Sequence, residues 1–195
     1  MDQRSLFVAL AAAFDADEPL EAAARAELIA AAPDARFDGA GVALPPSMID
    51  IMVAADAHPV CRLLAQTPLD WAQPSTSSDP KYLASGVGKV HVELLGPGGL
   101  VRSDVVRLGV YGMLPNSEYG IRTHPAEEVF VMLAGQADWK RGNADFTRSG
   151  VRGRSYHPSM MPHATRVGTQ GFMSAYAWRG DLSTTQYVYQ GLPQT

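Results

Sequence analysis

Apolar positions in the first part of the chain recur at helical spacing. Leu6, Leu10 and Phe14 fall on one face of a helix predicted over residues 5–16. A second helix is expected from 19 or 20 to 32, where Pro33 stops it. Ser47, after Pro45-Pro46, is placed to cap a third helix reaching about residue 57. Pro59 suits the first turn of a fourth, which would carry Leu63, Leu64 and Trp71 toward the core. Residues 73–80, rich in Pro, Ser, Thr and Asp, read as a polar linker.

Beyond the linker the apolar runs shorten to strand length. Strands are predicted over 89–95, 105–114, 128–133, 137–141, 155–157, 164–167, 172–179 and 186–189. Gly96-Pro97-Gly98-Gly99, Pro115-Asn116, Gly142-Asn143 and Gly180-Asp181 separate them as turns. Roughly eight to ten short antiparallel strands point to a closed barrel or double-sheet jelly roll. The expected organisation is mainly β, with a helical N-terminal segment over 1–75 packed on a β-barrel over 76–195.

Composition narrows the partners. A length of 195 residues suffices for one core with an appended helical segment. The net charge of −4, without any basic run, argues against nucleic acid or an anionic membrane surface. The single cysteine, Cys61, excludes an intramolecular disulfide and suits a reducing cytoplasm. It sits in an apolar helical stretch and reads as a buried, inert thiol rather than a nucleophile. The apolar run 6–14 has acidic flanks, Asp2 on one side and Asp15, Asp17 and Glu18 on the other, so an amphipathic helix suits it better than a signal peptide. No run reaches the roughly 18 apolar residues of a membrane span.

The candidate chemistry lies between Tyr119 and His163. If 122–130 is one extended strand, Arg122, His124, Glu128 and Phe130 share a face, with Pro125 as a possible bulge. Later in the chain comes Pro158-Ser159-Met160-Met161-Pro162-His163. His124, Glu128 and His163 together offer two imidazoles and a carboxylate, a three-point site with open positions suited to Zn(II), Fe(II), Mn(II) or Ni(II). Taken singly, a histidine or the Glu127-Glu128 pair is commonplace on a surface; the joint spacing is not.

That spacing resembles the two cupin motifs, in which a histidine, three residues, a glutamate, six residues and a glycine are followed by a proline-containing turn into a second histidine. The interval from Glu128 to Gly135 fits and selects Glu128 over Glu127, and Pro158 to His163 fits the second motif. The usual cupin motif opens with a further histidine where this chain has Arg122, whose guanidinium cannot ligate. Three protein ligands remain, unless Tyr119, His157 or a water supplies a fourth; His157 otherwise reads as a wall or turn residue. Cupins often dimerise through barrel edges, so a homodimer is the analogous expectation.

Within the cupins the resemblance is closest to the dimethylsulfoniopropionate lyases and lyase-like proteins. It covers the helical N-terminal part, Tyr119-x-x-x-x-His124-x-x-x-Glu128, Gln136-Ala-Asp-Trp139-Lys140, Tyr156-His-Pro-Ser159, Pro162-His163-Ala164 and Trp178. The resemblance implies β-elimination of a small carboxylate substrate to dimethyl sulfide and acrylate, with a metal orienting the carboxylate while a tyrosine removes the neighbouring proton. It further implies that Phe130 stands where the lyases carry a tyrosine and Arg122 where they carry a histidine. The base is then expected in Tyr119, with Arg122 lowering its pKa or clamping the substrate carboxylate. Phe130, Tyr176 and Trp178 are the expected substrate-binding aromatics, with a sulfonium held by cation–π attraction; Phe172, Ser174, Tyr176 and Trp178 alternate onto one strand face. Two other classes stay open: a cupin oxygenase or isomerase acting on a small organic acid, and a non-catalytic barrel that binds one.

Overall fold

The computed structural model describes residues 3–36 and 40–193; the extreme ends of both predicted segments lie outside these. Helices α1 (Gln3–Ala11), α2 (Pro19–Ala31), α3 (Pro46–Met52), α4 (Val60–Gln66) and α5 (Pro80–Ser85) come first. The strands are β1 (Lys89–Gly96), β2 (Val101–Arg102), β3 (Val106–Met113), β4 (Glu118–Thr123), β5 (Glu127–Gly135), β6 (Ala137–Arg141), β7 (Thr147–Ser149), β8 (Arg154–His157), β9 (His163–Arg166), β10 (Phe172–Arg179) and β11 (Val188–Gly191). They form a sheet ordered β2-β1-β3-β10-β5-β8 and a second ordered β11-β4-β9-β6-β7. Among the described residues no helix is long and apolar enough to cross a membrane.

The six-stranded sheet is covered on both faces. Its β10, FMSAYAWR, sends Phe172, Tyr176 and Trp178 into an aromatic cluster shared with the five-stranded sheet, and Met173, Ala175 and Ala177 into a second cluster with the helices. The helical cluster seats Leu6, Phe7, Leu10, Leu28, Met48 and Leu64 against Val90, Leu108, Val110 and Val131. Each such large side chain contributes about 1.5–3 kcal/mol on burial. Arg154 of β8 fixes the helices to the sheet from the rim: its Nε and Nη2 meet the buried Glu21 carboxylate at 2.8 and 3.1 Å, and Nη2 also meets Asp15.

The mainly β, cupin-type expectation therefore holds, and strands 137–141 and 172–179 begin and end where the pattern put them. Several elements differ. The first helix stops at Ala11, although Phe14 remains buried through a following turn. The third ends at Met52 rather than near 57. Trp71 is buried, but outside α4. Asp79 and Pro80, taken as the end of a linker, open α5, with Asp79 Oδ1 accepting from the Lys81 amide at 2.7 Å.

One difference bears directly on the site. Residues 122–130 are not one strand: β4 belongs to the five-stranded sheet and β5 to the six-stranded one. The chain crosses between sheets at His124-Pro125-Ala126, where Pro125 has no amide to continue a ladder and the His124 carbonyl accepts from the Met160 amide at 2.9 Å. Arg122 and His124 thus meet Glu128 and Phe130 across the gap between sheets rather than along one strand face. Gly135 makes the return crossing at φ +68, and a Cβ there would lie 2.0 Å from the Gly171 carbonyl oxygen.

Candidate metal centre

Strand pairing assembles the cluster. Glu128 on β5 is registered with Trp178 of β10 on one side and His157 of β8 on the other. His163 opens β9 opposite Arg122 of β4. His124, Glu128 and His163, all buried, offer donor atoms within 4.8 Å of one another. Glu128 Oε2 lies 3.1 Å from His163 Nε2 and 3.6 Å from His124 Nε2.

The imidazoles are oriented through their other nitrogens. His124 Nδ1 lies 3.1 Å from the Ala126 carbonyl and His163 Nδ1 2.8 Å from the Met161 carbonyl. A carbonyl only accepts, so each Nδ1 carries the hydrogen and each Nε2 turns a lone pair toward the carboxylate. Both Nε2 atoms are buried without a hydrogen-bond partner among the described residues. Lone pairs facing an anionic oxygen repel it unless a cation lies between them, and this donor set fits a divalent transition ion. Burial, reinforced by the Arg122 charge, holds His163 well below an ordinary imidazole, leaving it neutral.

His157, read from sequence as either a wall residue or a fourth ligand, is fully buried beside the cluster. Its Nδ1 is 2.8 Å from Glu128 Oε2, its Nε2 2.9 Å from Ser155 Oγ, and its ring stacks on His163 at 4.1 Å. Tyr119 has its hydroxyl 2.5 Å from that of Tyr187. Arg122 is only 2% exposed, with its guanidinium 3.9 Å over the Tyr119 ring. Burial raises the Tyr119 phenol well above its ordinary pKa, with Tyr187 and Tyr82 adding to the rise and Arg122 acting against it.

The predicted aromatics divide. Phe130 meets Trp139 at 4.7 Å and Tyr111 at 5.8 Å. The Tyr176 hydroxyl and His91 Nε2 share a hydrogen bond of 2.7 Å. Trp178 stacks on His124 at 4.1 Å, with Arg107 5.7 Å from its ring, and its Nε1 donates to Glu128 Oε1 at 2.6 Å. All three line a pocket that runs from Glu128 and Arg122 past Tyr111 to Glu93 and Arg107. Sequence reasoning missed His91, Glu93, Arg107, Tyr111 and Tyr187 there. Alternation along β3 groups Arg107 with Tyr111, but only sheet pairing tells which face turns inward.

The model of the dimethylsulfoniopropionate lyase family matches residues 47–173. The dimethylsulfoniopropionate lyase DddQ of Ruegeria pomeroyi is 40% identical over 91 residues, 47% of this chain and 45% of that protein, so the match spans about half the length of the curated relative. The crystal structure of DMSP lyase DddQ from Ruegeria pomeroyi DSS-3 superposes with a TM-score of 0.67 at 25% identity, covering 96% of both chains. A chain from the crystal structures of the DMSP lyases RdDddP and RnDddQII shares the fold with a TM-score of 0.64 at 23% identity, over 100% of both.

Proposed function

The chain belongs to the dimethylsulfoniopropionate lyase family, and on that footing we propose that it is a metal-dependent carbon–sulfur lyase that cleaves dimethylsulfoniopropionate, or a closely related small carboxylate, by β-elimination to dimethyl sulfide and acrylate. The observation that carries this reading is the pair of pinned, partnerless Nε2 atoms of His124 and His163 facing the Glu128 carboxylate beside a pocket walled by aromatics. Zn(II), Fe(II), Mn(II) or Ni(II) held by His124, Glu128 and His163 supplies Lewis-acid stabilisation of the negative charge that develops on the substrate carboxylate.

In this reading Tyr119 is the base. Its phenolate takes the proton next to the carboxylate, a carbon–carbon double bond forms, and the carbon–sulfur pair leaves with dimethyl sulfide. Burial keeps that phenol protonated; Arg122, 3.9 Å above the ring, and an arriving sulfonium favour its ionisation. The Tyr187 hydroxyl, 2.5 Å away, is positioned to donate to the phenolate. Tyr176 and Phe130 offer ring surface to the sulfonium methyl groups, whereas Trp178, already engaged with Glu128 and His124, serves better as a support of the carboxylate. The polypeptide reads as a helical segment over 1–75 on a barrel over 76–195, acting in the cytoplasm and dimerising through a barrel edge.

A second reading, a cupin oxygenase or isomerase on a small organic acid or a barrel that only binds one, draws on Phe130, which has no proton to exchange. Metal analysis of purified wild type and His163→Ala, together with an assay for dimethyl sulfide and acrylate, separates them. The lyase reading expects metal in the wild type, loss of metal in His163→Ala, and turnover above that of free metal. Bound metal without turnover favours the second reading.

A further inference from the structure

Among the described residues three buried donors lining the pocket, Arg107 Nε, Tyr111 Oη and Arg122 Nη1, have no hydrogen-bond partner, and the last two lie against the Tyr119 ring. The Tyr111 hydroxyl, on a residue 4% exposed, and Arg122 Nη1, on a residue 2% exposed, are both buried without a hydrogen-bond partner among the described residues. Arg122 Nη2 makes only a 3.5 Å contact, to Thr165 Oγ1. A buried donor left unsatisfied is destabilising, the more so when it is charged. Two of them beside one ring point to a ligand that completes them.

Their surroundings say what kind. Tyr111 stacks on Tyr119 at 6.0 Å, and Arg122 lies 3.9 Å from the same ring, so the phenol and the guanidinium both flank Tyr119. Each acts electrostatically on the other. Arg122 is a permanent donor. Burial drives the Tyr111 phenol well above its ordinary pKa, so at neutral pH it keeps its proton and donates too. A fixed cation and a neutral hydroxyl lining one pocket complement a carboxylate, which offers two oxygens and no hydrogen. The adjoining wall of Phe130 and Tyr176 suits a short hydrocarbon chain.

We propose that Tyr111 Oη and Arg122 Nη1 together seat the carboxylate of a short-chain acid, making Tyr111 a substrate-binding residue of this pocket. The proposal deepens the lyase reading by giving the substrate carboxylate, which a bound metal would polarise, two protein donors as well, and it rests on that reading only for the identity of the acid. The seat also accounts for the buried Arg122 on β4 of this chain: its charge is neutralised when the acid binds.

Calorimetric titration with acrylate tests it, using metal-loaded wild type, Tyr111→Phe and Arg122→Lys, with the thermal midpoint of each ligand-free protein measured alongside. Wild type should bind acrylate, and Tyr111→Phe should bind it about tenfold more weakly, as expected for one lost donor to a charged acceptor. Arg122→Lys should also weaken binding, since a lysine cannot offer the same fork. The ligand-free midpoint of Tyr111→Phe should equal or exceed that of wild type, because the hydroxyl removed has no partner to lose. No acrylate binding by wild type, an affinity of Tyr111→Phe within twofold of wild type, or a clear drop in its midpoint each overturns the seat. Acrylate binding that depends on Tyr111 without cleavage of dimethylsulfoniopropionate refutes the lyase reading and leaves the seat standing. Cleavage with Tyr111-independent acrylate affinity does the reverse.

Discussion

Trp178 and Glu128 stand opposite one another on neighbouring strands, and the indole Nε1 donates to Glu128 Oε1 at 2.6 Å. The same indole stacks on His124 at 4.1 Å. One side chain therefore orients two members of the cluster and leaves Oε2 turned toward the imidazoles. Trp178→Phe keeps a ring against His124 and removes the donor. Its metal affinity should fall by about tenfold or more, as for loss of a partner that orients a ligand. Competition with a chelator of known affinity measures this, and an unchanged dissociation constant would count against the indole's role.

Arg154 should matter to stability and not to chemistry. Its guanidinium joins Glu21, which is 1% exposed, to the strand carrying His157, at 2.8 and 3.1 Å. Arg154→Ala strands the Glu21 carboxylate against the helical core, at a cost of about 3 kcal/mol. Denaturant unfolding should show the loss, with metal content at ordinary temperature unaltered. A change within about 0.5 kcal/mol would mean the contact is solvated in the way of an ordinary surface pair.

Cys61 should be silent. Burial pushes its thiol up to about 12 from an ordinary 9.0. The folded protein thus holds the proton where the unfolded chain has lost it, so the contribution to stability is complete below pH 9.0 and declines as pH rises toward 12. Iodoacetamide at pH 8 should leave the folded protein unmodified and alkylate it fully in guanidinium chloride. Rapid labelling of the folded protein would refute the burial argument.

His91 gives the opposite sign. Burial and the neighbouring Arg107 charge lower it to about 4 from 6.5, so the ring that pairs with the Tyr176 hydroxyl is neutral near pH 7. Between these values the unfolded chain binds a proton that the folded protein refuses, so stability falls as pH drops from 6.5 toward 4. His91→Gln removes the titration, and its unfolding free energy should depend less on pH across that window. Parallel curves for the two proteins would exclude His91 as a source of the acid sensitivity.

Much of the molecule is legible along the chain, because side-chain alternation and turn chemistry act over a few residues. The resemblance to the cupin motifs picks out Glu128, which lies with His124 and His163, over Glu127, and strands 137–141 and 172–179 follow from local spacing. So does the inertness of Cys61, which an apolar helical neighbourhood already implies.

Contacts between segments distant in the chain follow different rules, and local pattern is blind to them. Parity predicts a continuous strand through Pro125, yet the chain leaves one sheet at Thr123 and enters the other at Glu127. Whether Arg122 is a surface charge or a buried guanidinium over Tyr119 depends on β9 and β11 lying against β4. Trp178 looks like one more core aromatic until β10 is registered beside Glu128. Tyr111 carries no sequence signal, since a hydroxyl becomes conspicuous only when burial removes its water and no neighbour replaces it. Local periodicity sets which residues are extended, and the resemblance to the cupin motifs picks out the residues that gather in the buried His124, Glu128 and His163 cluster. Sheet pairing, which brings together positions far apart in the chain, decided which side chains face the pocket and which of them arrive there without a partner.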